Sequence, residues 1–427
     1  MYTRLLVFKT KLLIKVLRML GKNASALPGL IVERFSPRFL DTALGPVQDK
    51  IVIISGTNGK TTTTKMVVHA LRSSGARVVT NSTGSNMTRG LISALIDDMT
   101  LSGTLRPTDW FVFEMDEAYA PKFTANLSIK AVLALNVLRD QLDRYGEIDT
   151  TAKLIGSAAQ KADQFIYNAH DPLLHKIAQS VAGKNVHTTS FGVVKKLTAK
   201  LKNEQSMFTK AESAGTKADY VLSKSQENNG TQQIEVVSEH KNVSTELPFI
   251  GMHNALNATA ACALLAQLSP DTYHKQFVAI STMQTPFGRG ENIRLNNKNI
   301  TVALVKNPSG FTHNLETFVT GQKPDHVLFV VNDRFADGRD VSWLWDVQFK
   351  DVIPKGTSIS CSGIRAYDMA LRLKHDGYEA SVTTDVKRAI ERLMSSSDHD
   401  IAVIPTYTAL YEARSALSRY GGVPRIW

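Results

Sequence analysis

Residues 55–62 read Ser-Gly-Thr-Asn-Gly-Lys-Thr-Thr, directly after the apolar run Ile51–Ile54 and directly before a helix-like stretch, Thr61–Ser73. The chemistry such a segment can do is anion binding. Glycines let the backbone turn tightly and aim N–H groups at an anion, and a helix N-terminus adds positive potential. Lys60 can reach terminal phosphates, and the Thr61 hydroxyl is placed for Mg²⁺. The strict Walker pattern wants a glycine where Ile54 stands, so the generic motif fails while its strand–loop–helix context holds. We therefore expect Gly56, Thr57, Asn58, Gly59, Lys60, Thr61 and Thr62 to hold the phosphates of ATP. Such a site needs a carboxylate on a neighbouring strand for the metal. Glu114 ends the run Trp110–Phe113 and suits that role, with Asp116 and Glu117 close behind. The competing reading is a merely solvated acidic loop.

The elements around the loop alternate. Strand-like runs at Ile51–Ile54, Arg77–Thr80, Trp110–Glu114, Ala131–Asn136 and Phe165–Tyr167 are separated by helix-like stretches such as Thr61–Ser73 and Thr150–Ala162. That rhythm implies right-handed βαβ units on a mainly parallel α/β sheet with helices on both faces. Residues 194–245 are rich in Lys, Ser, Gln and Asn and read as a polar insertion of irregular antiparallel strands and loops. A helix resumes at His253–Gln267, and Gly288-Arg289-Gly290-Glu291-Asn292 looks like a hinge. Alternation returns with strands at Val302–Val305, Val327–Val331, Ser358–Cys361 and Ile401–Ile404 and helices around 364–375, 385–394 and 409–419. The expected organisation is a basic N-terminal helix and connecting segment (1–46), an ATP-binding domain (47–292) and a smaller Rossmann-like C-terminal α/β domain (293–427). A length of 427 residues accommodates two or three domains.

With 43% hydrophobic and 21% charged residues the chain can bury a proper core. The net charge of +11 favours anionic partners, yet no aromatic-rich basic motif of nucleic-acid type is evident, so no nucleic acid is expected. Two cysteines, Cys262 and Cys361, exclude a disulfide scaffold and a four-cysteine zinc site, and fit a reduced cytoplasmic compartment. Residues 1–23 carry Arg4, Lys9, Lys11, Lys15, Arg18 and Lys22 and no acid. The charges run through the apolar stretch instead of preceding it, unlike a signal peptide. Arg4, Lys11, Lys15, Arg18 and Lys22 fall on one helical face, and Leu5, Phe8, Leu12, Val16 and Met19 on another. Two readings are open for this amphipathic helix: its apolar face packs on the body, or residues 1–22 touch the inner face of a membrane.

Several segments, in order, resemble the Mur ligase superfamily, which includes folylpolyglutamate synthetases. They are Gly-Thr-Asn-Gly-Lys-Thr-Thr at 56–62, Glu114-Met115-Asp116-Glu117, the run from Asn136 to Gly146, Gly251-Met252-His253-Asn254-Ala255-Leu256-Asn257, and Gly288-Arg289. Three features are similar to the MurT family within it. Gln141 stands where amino-acid-adding Mur ligases have a metal-binding histidine. Lys306-Asn307-Pro308 matches, as does the segment from Asn332 to Trp343 that contains Asp337-Gly338-Arg339-Asp340. Ser362–Ala366 and Pro405–Thr408 resemble its later segments.

The resemblance implies ATP-dependent amidation of the α-carboxylate of D-glutamate in the lipid II stem peptide, through an acyl phosphate. Ammonia would come from a GatD-like glutamine amidotransferase subunit. It implies Thr61 and Glu114 as Mg²⁺ ligands, Asn254, Asn257 and Arg289 beside the nucleotide, and Lys60 and Asp340 in catalysis. For Asp340 the plain alternative is a cap on the next segment. For Asp337 and Arg339 a mutual salt bridge competes with substrate contact. Many members carry a four-cysteine zinc ribbon in the middle domain; residues 194–245 contain no cysteine, so no zinc is expected. The alternatives are an amino-acid-adding Mur or folate ligase, against which Gln141 and the Asp340 segment speak, and a nucleotide-binding scaffold without ligase activity.

Overall fold

The computed structural model describes residues 2–19, 27–81, 87–138, 148–198, 218–228, 230–239, 241–284 and 289–423. Two compact units result. The first comprises Met1–Leu138, Glu147–Pro248 and Met252–Met283, and the second Phe249–Gly251 and Gln284–Trp427.

The first unit is built on one nine-stranded sheet. Its strands are β1 (Ile51–Ser55), β2 (Val78–Val79), β3 (Trp110–Glu114), β4 (Ile129–Ala134), β5 (Ala162–Asn168), β6 (His187–Val193), β7 (Tyr220–Asn228), β8 (Thr231–Ser238) and β9 (Asn242–Leu247). Their order in space is β2-β3-β1-β4-β5-β6-β7-β8-β9, parallel as far as β7. Strand β1 is buried along its whole length, as a continuous Ile-Val-Ile-Ile run predicts for a strand covered on both faces. Its neighbours lie on opposite sides, β3 in register Ile54↔Glu114 and β4 in register Ser55↔Ala134. The loop after β1 thus opens at the point where the strand order reverses, the usual ligand crevice of an open α/β sheet.

The described part of the polar stretch 194–245 is more regular than its composition suggests. Strands β7, β8 and β9 form an antiparallel meander that continues the same sheet. In β9 the buried and exposed residues alternate strictly, one face wet and one packed. Polar composition hid this, because a half-wet strand needs an apolar residue only at every second position.

The N-terminal segment departs from expectation twice. The segment anticipated as a connection after the first helix contains, among its described residues, a helix Leu27–Phe35 and a short helix Phe39–Leu44, and a 3₁₀ turn Gly45–Lys50 leads from it into β1. Pro28 and Pro46 lie in first turns, where a missing N–H costs nothing. We label Tyr2–Met19 α1, Leu27–Phe35 α2 and Thr88–Asp98 α3. A Cβ on Gly29 of α2 would lie 1.9 Å from the Arg89 carbonyl of α3, so only glycine permits this approach. The Gly29 N–H donates to Ser93 Oγ at 2.9 Å, and Glu33 pairs with Arg89 at 2.8 Å.

Helix α1 packs, and of the two readings left open for its stripe Leu5, Phe8, Leu12, Val16 and Met19, packing on the body is the one that fails. Val7, Thr10 and Ile14 point inward, at 1%, 2% and 3% exposure. Leu5, Phe8, Leu12, Val16 and Met19 face solvent at 53%, 47%, 56%, 44% and 79%. The helix is apolar on two sides, and the more continuous side was the misleading one.

The second unit holds β10 (Arg289–Leu295), β11 (Lys298–Ala303), β12 (His326–Val330), β13 (Ser358–Ser362), β14 (Ser381–Val382) and β15 (Asp400–Pro405), in the order β10-β11-β15-β12-β13-β14. All neighbours are parallel except the β10–β11 hairpin. Residues 289–292, anticipated as hinge, are therefore strand, while Gly288 lies outside the described residues. Gln284 and residues 289–292 cluster with this unit. Gly290 has φ +77° at a bulge in the ladder, and a Cβ there would stand 2.3 Å from the Phe318 ring. Both features demand glycine. The rings of Phe311, Phe329 and Phe349 form the core beside the sheet, two of the pairs edge-on at 5.4 and 5.9 Å. Cys262 and Cys361 are buried, one in each unit.

Candidate active site

Helix Lys60–Ser73 follows β1 through a loop whose shape rests on two glycines, Gly56 at φ +133° and Gly59 at φ +90°. A Cβ on Gly56 would meet the Asn136 backbone at 3.0 Å, and one on Gly59 the Asn257 side chain at 2.5 Å. Those contacts identify what encloses the loop. Asn136, just past β4, accepts the Thr57 N–H on its carbonyl at 3.0 Å. Its Oδ1 accepts the Asn58 N–H at 2.8 Å, and its Nδ2 donates to the Asn58 carbonyl at 3.0 Å. The Thr57 hydroxyl accepts from Leu138 N–H at 3.0 Å and lies 3.2 Å from the Leu138 carbonyl. Asn257, in the helix Met252–Leu268, closes the other side, with Asn254 one turn earlier; both are buried.

A second layer holds Asn136. Asp171 accepts the Val137 N–H at 2.7 Å and caps the helix Pro172–Val181 through Leu173 and Leu174 N–H. Burial raises its carboxyl above the ordinary carboxylate range, opposed by those three backbone donors.

Lys60 is the first residue of its helix and is buried. Its ammonium donates to the Gly56 carbonyl, to the Thr57 carbonyl at 3.4 Å and to Glu117 Oε1 at 3.2 Å. Glu114, Asp116 and Glu117 are all buried, at 6%, 4% and 4% exposure. A solvated acidic loop is thereby excluded. Asn81 fixes the end of β3 by two reciprocal bonds of 2.9 Å to the Glu114 backbone. Ser55 Oγ donates to the Met115 carbonyl at 2.9 Å and ties the same turn to β1.

Among the described residues no group of three or more His, Cys, Asp or Glu is arranged to hold a metal. Mg²⁺ with a nucleotide needs none, because it takes one or two protein oxygens and fills its shell with waters and phosphate oxygens. A hydroxyl at Thr61 and a buried carboxylate at Glu114, on the strand paired to the one that feeds the loop, are hard-oxygen donors of that kind. The residues fit.

In the second unit, three segments singled out in the sequence meet at the carboxyl ends of β12, β13 and β15. Asn332 organises them. Its N–H donates to Thr406 Oγ1 at 2.9 Å, its Nδ2 to Thr408 Oγ1 at 3.1 Å, and its Oδ1 accepts Ile364 N–H at 3.0 Å. Asp337 is buried and accepts the Thr408 N–H at 2.7 Å and the Arg334 N–H at 3.1 Å. That binding to Thr408, not a bridge to the exposed Arg339, accounts for its place. Asp333 pairs with Arg365 at 2.7 Å, and Arg334 with Glu412 at 2.7 Å. An open groove of about 580 Å³ lies here, lined by Asn332, Arg334, Gly363, Ile364, Tyr411 and Glu412 among others.

Asp340 is exposed and accepts Ser342 N–H at 2.8 Å and Ser342 Oγ at 2.9 Å, just ahead of the 3₁₀ turn Ser342–Asp346, whose N-cap position is Val341. These two bonds hold the carboxylate in place. Asn307 caps the helix Pro308–Asn314 through Gly310 N–H at 2.9 Å. Gln141 and the side chain of Arg289 lie outside the described residues. Sequence reasoning missed three positioning residues: Asn136, Asp171 and Asn81. Only Asn136 had a signal, as the first residue of a family-like segment.

The Mur ligase middle domain family matches residues 54–265, and the MurT ligase C-terminal family matches residues 304–410. The lipid II isoglutaminyl synthase (glutamine-hydrolyzing) subunit MurT of Streptococcus pneumoniae is 28% identical over 434 residues, covering 94% of each chain. Among solved structures, MurF from Acinetobacter baumannii superposes with TM-score 0.69 at 15% identity, covering 92% of this chain and 80% of that one. MurF ligase from Thermotoga maritima in complex with ADP gives TM-score 0.68 at 14% identity, covering 91% and 84%.

Proposed function

The chain belongs to the Mur ligase superfamily and is an ATP-dependent ligase; from that premise we propose that it amidates the α-carboxylate of D-glutamate in the lipid II stem peptide. The product is D-isoglutamine. The observation that carries this reading is the likeness to a MurT subunit along 94% of both chains, joined to a complete phosphate cradle around Lys60.

A carboxylate becomes electrophilic only after one oxygen is made a leaving group. A carboxylate oxygen attacks the γ-phosphorus of ATP, ADP departs, and an acyl phosphate forms. Ammonia then attacks the acyl carbon, phosphate leaves, and one proton is lost as the amide forms. The first step brings two anions together. Lys60 lowers that barrier by placing an ammonium at the transferring phosphoryl group, and the loop N–H groups add fixed dipoles. Thr61 and Glu114 would hold Mg²⁺, which would supply further neutralisation of phosphoryl charge. Asn257 and Asn254 orient the nucleotide. Asp340 positions ammonia or takes its proton.

The chain's own cysteines do not suit glutamine hydrolysis. Both are buried, and burial pushes the Cys361 thiol up to about 12 and the Cys262 thiol higher still. On this reading a GatD-like glutaminase subunit supplies the ammonia, on the cytoplasmic side where the lipid-linked stem peptide is displayed.

Asp340→Asn tests the assignment. Asparagine keeps an oxygen to accept Ser342 N–H, so that bond survives while the charge is lost. ATP binding should persist and amide formation should fall by about 10² or more. A variant that amidates at the normal rate overturns the catalytic role. ATP turnover that depends on a free amino acid, instead of on ammonia or glutamine plus partner, overturns the function.

A further inference from the structure

We propose that α1 lies flat in the headgroup layer of an anionic bilayer, inserting the stripe Leu5, Phe8, Leu12, Val16 and Met19. The spacing of these residues keeps them on one helical face, and all five are exposed although Val7, Thr10 and Ile14 on the same helix are buried. Folding does not need this face. Val7, Thr10 and Ile14 on the opposite side already bury the helix. Lys11 Nζ also reaches the Asp97 carbonyl at 3.0 Å.

The stripe is unpartnered yet continuous over the helix, and charge complementarity says what covers it. Lys9 flanks it on one side and Lys15 on the other, both exposed. Residues 1–23 carry six basic side chains and no acid. An apolar stripe with basic flanks and no acid matches anionic headgroups above acyl chains. No described helix is long and apolar enough to cross a membrane, so the contact is interfacial. The adjoining α2 exposes Leu27, Leu30 and Phe35. The close approach at Gly29 fixes that helix to α3, so the platform is held to the nucleotide-binding unit.

Vesicle binding is read without turnover, so this inference and the amidation reading fail separately. The full chain, alone and with its glutaminase partner, is sedimented with vesicles of phosphatidylglycerol plus phosphatidylcholine and with phosphatidylcholine alone. Association with the anionic vesicles is expected, weakening as salt rises. Leu12→Glu with Val16→Glu should lower the partition coefficient by about tenfold or more, and Lys9→Glu with Lys15→Glu should do likewise on anionic vesicles only. An unfolding temperature equal to wild type shows that the variants fold.

A second readout needs no charge reversal. The native cysteines are buried, so an environment-sensitive dye on Leu12→Cys reports locally. Its emission should shift to the blue on anionic vesicles, while the same dye on the exposed Asp271→Cys stays unchanged. Failure of wild type to bind vesicles, equal binding by the stripe variants, or a stripe that instead mediates self-association or capture of the glutaminase would each overturn the proposal.

Discussion

Glu117→Gln should make the nucleotide-free protein less stable and the metal-free ATP complex tighter. In the structure Glu117 holds the Lys60 ammonium at 3.2 Å, with both side chains nearly sealed from water, at 8% and 5% exposure. At that distance and an effective dielectric of about 20 the attraction is about 5 kcal/mol. Part of it offsets the desolvation of the carboxylate, which glutamine no longer incurs. The Gly56 and Thr57 carbonyls stay in place and continue to receive the ammonium. A net loss of about 3 kcal/mol in the empty protein follows.

ATP changes the balance. Its phosphates and the Glu117 carboxylate compete for one ammonium, and they repel each other across a site that also contains Glu114 and Asp116. Removing the carboxylate's charge should tighten ATP by about tenfold, or 1.4 kcal/mol. The measurement is calorimetric titration with ATP in excess chelator, which silences any carboxylate–metal contact. Thermal unfolding with and without nucleotide accompanies it, since a chain of two units does not yield a single unfolding free energy. The variant should unfold at a lower temperature when empty and gain more from ATP than wild type does. Equal or weaker metal-free ATP affinity would refute the competition.

Three further perturbations follow from the geometry. Gly59→Ala forces a side chain into a left-handed conformation, at about 1–2 kcal/mol, and into the Asn257 amide, at about 1–3 kcal/mol more. Asn257→Ala should recover only the second part, so a double-mutant cycle of thermal stability and ATP affinity that shows no coupling contradicts the enclosure. Gly29→Ala should lower the unfolding temperature despite alanine's better helix propensity, because its Cβ meets a carbonyl at 1.9 Å; an unchanged or raised temperature means the helices are not so close. Arg372 holds the Asp376 carboxyl down to about 2, below its usual 3.8. A depressed carboxylate contributes stability that is complete above about pH 4 and lost as pH falls through about 2. Asp376→Asn should therefore be destabilised at neutral pH, with the gap to wild type closing between pH 4 and 2; a gap constant with pH would count against the ion pair.

What was legible in the sequence was whatever one segment specifies alone. The phosphate loop could be read because its glycines, lysine and threonines are contiguous and the strand before it is uniformly apolar. Most strand positions followed from runs buried on both faces. The residues that hold the loop in shape could not be read this way. Asn136, Asp171 and Asn81 act through bonds to segments far away in sequence, and an asparagine or aspartate that will form them looks like any loop residue. Asp340 shows a different limit: the family-like segment flagged its chemistry and the sequence left a capping role open, while its bonds to Ser342 needed coordinates. Helix α1 was left open between packing and membrane contact because apolar residues occupy more than one face, and periodicity cannot say which face the body covers. The β7–β9 meander was read as irregular antiparallel strands because its exposed positions dominate the composition; its regularity and its place on the main sheet needed coordinates.

The clasp that Asn136 puts around the phosphate loop has a consequence for how the protein is made. Strand β1 sits in the middle of its sheet, and both neighbours arrive late: β3 ends at Glu114 and β4 at Ala134. A nascent chain that has emerged from the ribosome only as far as Ser73 displays the whole loop and its helix but lacks the strands and the asparagine that give the loop its form. Because β pairing across long separations closes slowly, the newborn polypeptide cannot recruit ATP to steady its own folding at that stage. Nucleotide can act as a ligand chaperone only after translation has passed Leu138 and the clasp has shut.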